Sequence, residues 1–285
     1  MKAGKYTLFA CLLLSNLSVS AASSGQTNGS KDSLPVFDAH IHYSHDAPAL
    51  VSPEDAVRRL REAGVTRAIV SSWSDDGTWQ LYQVAPDFII PALMPYPDRD
   101  DMQVWMHDEN VITYARERLQ KHRYAAIGEL HVDGDEVNTV VMREIIKLAD
   151  EYDLILHLHS DAAGIINVYD QSPNARILWA HAGFEHAETV RELVLLYDTL
   201  WADLSYRYDI FNDDMLATEW RELLQDHADR FLLGIDPYAP QRWLQIDEVM
   251  HWQRRLLAAL PPDVARKIAY QNGGRLVESY EQESR

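Results

Sequence analysis

From Pro35 onward the chain alternates between two patterns. Short apolar runs recur, each followed by a longer stretch whose apolar positions fall three and four residues apart. The runs Val36–Ile41, Arg67–Ser72, Phe88–Leu93, Ala125–Leu130, Leu154–His159, Arg176–His181, Leu200–Ser205 and Phe231–Asp236 predict strands. The stretches Pro53–Ala63, Gly77–Ala85, Asp108–His122, Val137–Tyr152, Asp161–Asp170, Glu185–Tyr197, Asp213–Asp229 and Arg242–Leu260 predict helices, and a terminal helix begins at Asp263. Local punctuation agrees: Ser52 and Pro53 form an N-cap followed by a first-turn proline, and Gly64 ends that helix. Strands that alternate with helices pair in parallel, and eight such units predict a single-domain (β/α)8 TIM barrel over residues 35–285. The competing open, doubly wound sheet calls for a glycine-rich phosphate turn, and no GxGxxG or Walker motif occurs.

The first residues follow another rule. Lys2 and Lys5 precede the apolar segment Leu8–Leu14 and the small-residue zone Ser18 to Ala22. This predicts a secretory signal peptide over residues 1–22, followed by a flexible Ser/Gly/Asn-rich linker over 23–34. Cleavage would remove Cys11, the one cysteine, leaving neither disulfide nor thiol nucleophile. Leu8-Phe9-Ala10-Cys11 offers the lipoprotein alternative. The expectation is an exported protein, periplasmic or secreted, without stable membrane association once the signal is removed.

Composition narrows the partners. With 47% hydrophobic and 25% charged residues among 285, the chain can build a sizeable core. A formal charge of −18 and no Lys/Arg-rich run oppose nucleic-acid binding. A small-molecule substrate is expected; oligomeric state is not legible.

In such barrels the reaction centre forms at the C-terminal ends of the strands. His40 and His42 close the first predicted strand, two residues apart and therefore on one face, roughly 6.5–7 Å apart along the backbone. Two imidazoles so placed can converge on one divalent ion. The other strand ends offer Glu129 and His131, His157 and His159, His181, and Asp236. Trp73, Tyr206, Arg207 and Tyr238 follow strand ends and are candidates to contact substrate, Arg207 by a bidentate grip on a carboxylate. Asp161 reads as the cap of the next helix.

In order and spacing, Phe-Asp-Ala-His-Ile-His, Ile-Gly-Glu, His-Ser-Asp, Trp-Ala-His-Ala-Gly, Gly-Ile-Asp-Pro and the closing Ile-Ala-Tyr-Gln-Asn-Gly-Gly-Arg-Leu resemble the amidohydrolase superfamily. The resemblance is greatest to its amidohydrolase-2 branch of metal-dependent hydrolases, lactonases and non-oxidative decarboxylases. It implies His40, His42, His159 and Asp236 as metal ligands, Asp236 as the proton-transferring catalytic group, and His181 as a catalytic group or second-metal ligand. Glu129 departs from the carboxylated lysine of many binuclear members and is similar to the Ile-Gly-Glu of the deoxyribonuclease-like branch. It would bridge two ions or bind substrate beside one. One divalent ion is expected, Zn2+ from its imidazole and carboxylate donors, with two the alternative. The function implied is hydrolysis of a small-molecule ester, lactone or amide by metal-activated water. Decarboxylation of an aromatic or unsaturated acid is the alternative, as is a non-catalytic ligand- or metal-binding barrel.

Overall fold

A computed structural model describes residues 34–282 of the chain. The signal peptide, the lipid-attachment alternative and nearly all of the linker lie outside the described residues.

Eight strands run in parallel in sequence order: Val36–His42, Val65–Ser71, Ile89–Leu93, Ala126–His131, Ile155–His159, Arg176–Trp179, Leu200–Asp203 and Phe231–Leu232. The first and last meet through a parallel bridge between Asp38 and Leu233, with the Ala39 amide on the Leu233 carbonyl at 2.9 Å. A carboxyl secures this seam, because Asp38 Oδ1 accepts from the amides of His40 (3.0 Å) and Ile235 (3.2 Å). The result is the expected (β/α)8 barrel.

Helices form where an apolar stripe faces these strands and a polar residue satisfies the first free amides. Ser52 accepts from Asp55 ahead of Pro53–Glu62, and Ala56, Val57 and Leu60 are the buried positions of that helix. Thr139 and Asp161 cap Val140–Glu151 and Ala162–Gln171 in the same way. Thr139 thereby divides the long helix expected over Val137–Tyr152, and its first residues form a separate turn, Gly134–Asn138. The helix expected from Asp213 begins at Thr218, its first residues being given to the hairpin Phe211–Asn212 and Met215–Leu216.

The chain ends by closing the floor of the barrel. Asn272 donates to the carbonyls of Ala228 (2.7 Å) and Phe231 (2.8 Å), and Gly273 lies so near the Phe37 ring that an added Cβ would sit 2.0 Å from it. At the opposite mouth, buried tryptophans tie loops to strand ends: Trp243 to the His42 carbonyl, Trp105 to that of His131, and Trp179 to that of Ser160. No helix among the described residues is long and apolar enough to cross a membrane.

Candidate metal centre

Two irregularities in the strand ladder aim the ligand-type side chains inward. The first strand shifts register between Asp38 and Ile41, around His40, and the fourth between Ile127 and Leu130, around Glu129. Gly128 makes the second shift possible: at φ +130° a Cβ would stand 2.1 Å from the His157 carbonyl oxygen.

Glu129, buried at the centre, divides the surrounding imidazoles between its two oxygens. Oε2 lies 3.2 Å from His40 Nε2, 3.1 Å from His42 Nε2 and 3.4 Å from His131 Nε2. Oε1 lies 2.8 Å from His159 Nδ1 and 3.4 Å from His181 Nε2. Asp236 closes the ring, its Oδ1 3.8 Å from His40 Nε2 and 3.5 Å from His42 Nε2, and its Oδ2 3.9 Å from His181 Nε2.

The outer nitrogens fix the tautomers. His40 Nδ1 faces the Asp203 carboxylate at 3.1 Å, and His42 Nδ1 faces the Ser71 carbonyl at 3.3 Å and the Ser71 hydroxyl at 3.2 Å; the carboxylate and the carbonyl can only accept, and a proton on each Nδ1 satisfies them. The two Nε2 lone pairs are left 3.1 Å apart, facing each other and two carboxylates. Asp236 Oδ1 is buried with no hydrogen-bond partner. Such a set of acceptors without a donor is stable only around a cation, whether proton or metal.

Electrostatics give the same answer. Burial opposes charge on His40, yet the carboxylates of Glu129, Asp236 and Asp203 hold its pKa well above the ordinary value. Burial likewise pushes Glu129 up, and His40, His131 and His159 pull it well below the carboxylate range. The three carboxylates around His40 thus favour a positive charge at the place a divalent ion would take. Imidazole and carboxylate are the donors such an ion takes, and the residues fit it.

The four ligands expected from the resemblance do not form one cluster. His40, His42 and Asp236 converge as expected, but Glu129 joins them, while His159 groups with Glu129 and His131. His157 turns away, its Nε2 on Asp203 at 3.4 Å, and burial with the nearby charge of His40 pushes it down to about 4.

Sequence reasoning missed Asp203. It is fully buried at the end of the seventh strand and touches His40, His157, the His181 amide (3.3 Å) and the Ser205 amide and hydroxyl. The available signal was a lone carboxylate closing an otherwise apolar strand. His181 was expected to end the sixth strand. That strand stops at Trp179, and His181 (φ 55°) begins a left-handed turn through Ala182 and Gly183. Its Nδ1 faces the Ser205 carbonyl at 3.0 Å, leaving Nε2 for the site.

The substrate candidates part company. Trp73 is buried and stacks on His42, ring centroids 5.1 Å apart. Tyr206 stands edge-on to His181 at 5.8 Å, and Tyr238, 48% exposed, stands beside Tyr206. Arg207 requires correction, because its guanidinium is committed and only 1% of the residue is exposed. It binds Asp209 through Nε and Nη2 at 2.9 Å each, and the carbonyls of His181 (3.2 Å) and Glu185 (2.9 Å). Arg207 secures the His181 turn with four of its five N–H groups, and the buried guanidinium has no free pair of donors for a bidentate grip on a substrate carboxylate.

A parallel eight-stranded barrel with histidines and carboxylates gathered at the C-terminal mouth is the architecture of the amidohydrolase superfamily. Residues 37–271 match the TatD related DNase family, and the chain belongs to it. No curated protein gives a significant match. Among solved structures, an uncharacterized TIM-barrel protein from Bordetella bronchiseptica aligns at TM-score 0.62 and 13% identity, over 88% of this chain and 100% of that one. A probable 2-pyrone-4,6-dicarboxylic acid hydrolase from Acinetobacter baumannii aligns at 0.57 and 11%, over 86% and 100%. A zinc-bound amidohydrolase from Burkholderia multivorans aligns at 0.56 and 13%, over 86% and 99%. At these identities the likeness is one of fold. The superfamily is the one the motifs suggested, and the matching family carries the name of the deoxyribonuclease-like branch noted for its Ile-Gly-Glu. The chain is thus an enzyme of metal-dependent hydrolase or lyase type.

Proposed function

We propose that the protein hydrolyses a small-molecule ester, lactone or amide with the help of one or two divalent ions held at the barrel mouth. The observation that carries this reading is the pair of Nε2 lone pairs, on His40 and His42, facing Glu129 and Asp236 with no proton donor among them. His40, His42 and Glu129 would hold one ion, with Asp236 Oδ1 within 3.8 Å of both histidines; Glu129 with His131 and His159 would hold a second. Sharing of Glu129 between two donor groups favours two ions over the single one expected from sequence. Zn2+ suits the donors, and when bound it supplies Lewis acidity and makes water a competent nucleophile near neutral pH.

The chain's own groups do the rest. Asp236 Oδ1, buried and unpartnered, accepts the proton of the attacking water and returns it to the leaving group. His181, anchored through Nδ1, accepts a hydrogen bond from that water at Nε2 and aims it. The residues around the mouth, Trp73, Tyr206 and Tyr238, enclose the substrate.

One observation favours a second reading, phosphoester hydrolysis: two donor groups joined by a shared carboxylate suit a two-metal clamp on a phosphoryl group, and the family's name points the same way. The charge of −18 weighs against a nucleic acid as that substrate. A panel of carboxylic esters, lactones and amides, phosphomonoesters and a DNA oligonucleotide at low salt decides between them, with CO2 release scored for decarboxylation. Asp236→Ala is expected to lose about 10^2–10^4 in turnover while retaining its fold by circular dichroism. Near-normal activity of that variant would refute the scheme.

A further inference from the structure

Three arginines stand around the mouth, and two are neutralised. Arg99 pairs with Asp46 at 3.1 Å and donates to the Tyr238 carbonyl; Arg207 is spent on Asp209. Arg242, in the turn Pro240–Leu244, is different. Among the described residues it forms no ion pair, although the protein carries a charge of −18. Its guanidinium carbon lies 4.3 Å above the Tyr206 ring and 5.6 Å from that of Tyr238, and its Nε is buried without a hydrogen-bond partner.

Stacking satisfies the faces of a guanidinium; in its plane Arg242 meets the Tyr208 hydroxyl, while its buried Nε–H has no partner. The Tyr206 hydroxyl below it is also buried and unpartnered. The same Tyr206 ring faces His181, which touches Glu129 and Asp236. Two unpartnered polar atoms, Arg242 Nε and the Tyr206 hydroxyl, thus stand together between the mouth and the candidate metal centre. Around them the rim is apolar and open: Phe184, Tyr208, Tyr238 and Leu244 are 52%, 41%, 48% and 52% exposed. Phe184 also stacks on His181 at 4.7 Å.

We propose that Arg242, with the Tyr206 hydroxyl, binds a carboxylate on the substrate, so that the molecules turned over carry one negative charge on an apolar or aromatic body. A planar carboxylate matches the fork, and a single charge suffers least from the acidic protein around it. This rests on the mouth being the reaction centre, as the hydrolase reading has it.

Binding without turnover separates the two claims. Benzoate and its neutral isostere benzamide are titrated calorimetrically into the purified protein and into Arg242→Met and Arg242→Lys. The protein is expected to prefer benzoate, Arg242→Met to lose about ten- to a hundred-fold in benzoate affinity with a much smaller change for benzamide, and Arg242→Lys to recover part of the loss. Three results would overturn the assignment: no preference for benzoate, unchanged benzoate affinity in Arg242→Met, or equal weakening of both ligands, which would mark Arg242 as packing only. Should Arg242→Met fail to fold, Arg242→Gln carries the same expectation. In the kinetic arm, a carboxylate-bearing ester and its neutral counterpart should differ in KM, with the difference abolished in Arg242→Met. If no ester is hydrolysed at all, the hydrolase reading falls and the benzoate titration alone decides the role of Arg242.

Discussion

Replacing Asp203 by asparagine tests the tautomer argument on which the metal centre rests. Asp203 is held well below the carboxylate range: burial opposes its charge, and His40, His157 and His181 outweigh that opposition. It is therefore an anion at neutral pH, and its Oδ2 keeps the proton of His40 on Nδ1 at 3.1 Å. The amide is isosteric. Its oxygen can go on accepting from the amides of Ser205 (2.9 Å) and His181 (3.3 Å), as Oδ1 does now, so the backbone loses little. The NH2 group then faces His40 Nδ1 and His157 Nε2. Donating there, it drives the His40 proton to Nε2 and removes one of the two lone pairs directed at the ion. Loss of such an orienting partner costs about 10–100-fold in metal affinity, which is about 1.4–2.8 kcal/mol. Competition titration against a chromophoric chelator measures it directly, and a thermal melt of the metal-free protein measures how much of the change is fold. A metal affinity within two-fold of the parent would refute the argument, since Asp203 would then be a buried polar residue without command of His40.

Other consequences can be checked separately. Adding Zn2+ to chelated protein at about 100 times its dissociation constant should stabilise it by about 2.7 kcal/mol, seen as a rise of several degrees in Tm; elemental analysis of the loaded protein then counts one ion or two. Burial pushes Asp38 up to about 8, above its unfolded value, so the folded protein binds the extra proton and loses stability as pH rises from about 4 toward 8. Asp38→Asn should flatten that decline, by up to about 1.4 kcal/mol per pH unit in denaturant titrations, and an unchanged pH profile would refute it. Gly273→Ala, forced against the Phe37 ring, should cost about 1–3 kcal/mol or more, whereas Gly274→Ala, with nothing within 4 Å of the new carbon, should be neutral or stabilising; equal effects in urea melts would contradict the packing described for the barrel floor.

The barrel was legible because its signal is repeated. Each strand is an apolar run covered on both sides, each helix keeps a stripe toward it, and errors at one boundary leave the count intact. The site was legible in its residue types for a related reason: a charged or imidazole side chain closing an apolar strand is costly unless it has partners, and His40, His42, Glu129, His181 and Asp236 all found them in one place. Asp203 obeyed the same logic and was passed over, because a carboxylate among histidines draws less notice than the histidines it orients. Arg207 failed for the opposite reason. Its position after a strand is a property of sequence, but its partner, Asp209, two residues on, and the carbonyls of His181 and Glu185 are properties of how two loops fold together. No periodicity reports that.

The strand ends themselves were the main misjudgement, and the reason bears on function. Apolar patterning carries the sixth, seventh and eighth strands to His181, Ser205 and Asp236, yet the ladder releases them at Trp179, Asp203 and Leu232. Beyond those points the backbone turns left-handed at His181 (φ 55°), Tyr206 (φ 58°) and Asp236 (φ 50°), a region that costs side-chain-bearing residues about 1–3 kcal/mol each. In regular strands these side chains would alternate between the barrel interior and its helices. Leaving the ladder early frees each to point across the mouth, and the surroundings hold it there: Ser205 and Arg207 fix the His181 turn, Arg242 covers Tyr206, and the Asp236 amide donates to the His40 carbonyl at 2.8 Å. Asp236 thereby reaches His40 and His42 from the far side of the barrel seam. The hydrophobic pattern marks which residues lie near the mouth; the local departure from it determines which of them face the ion.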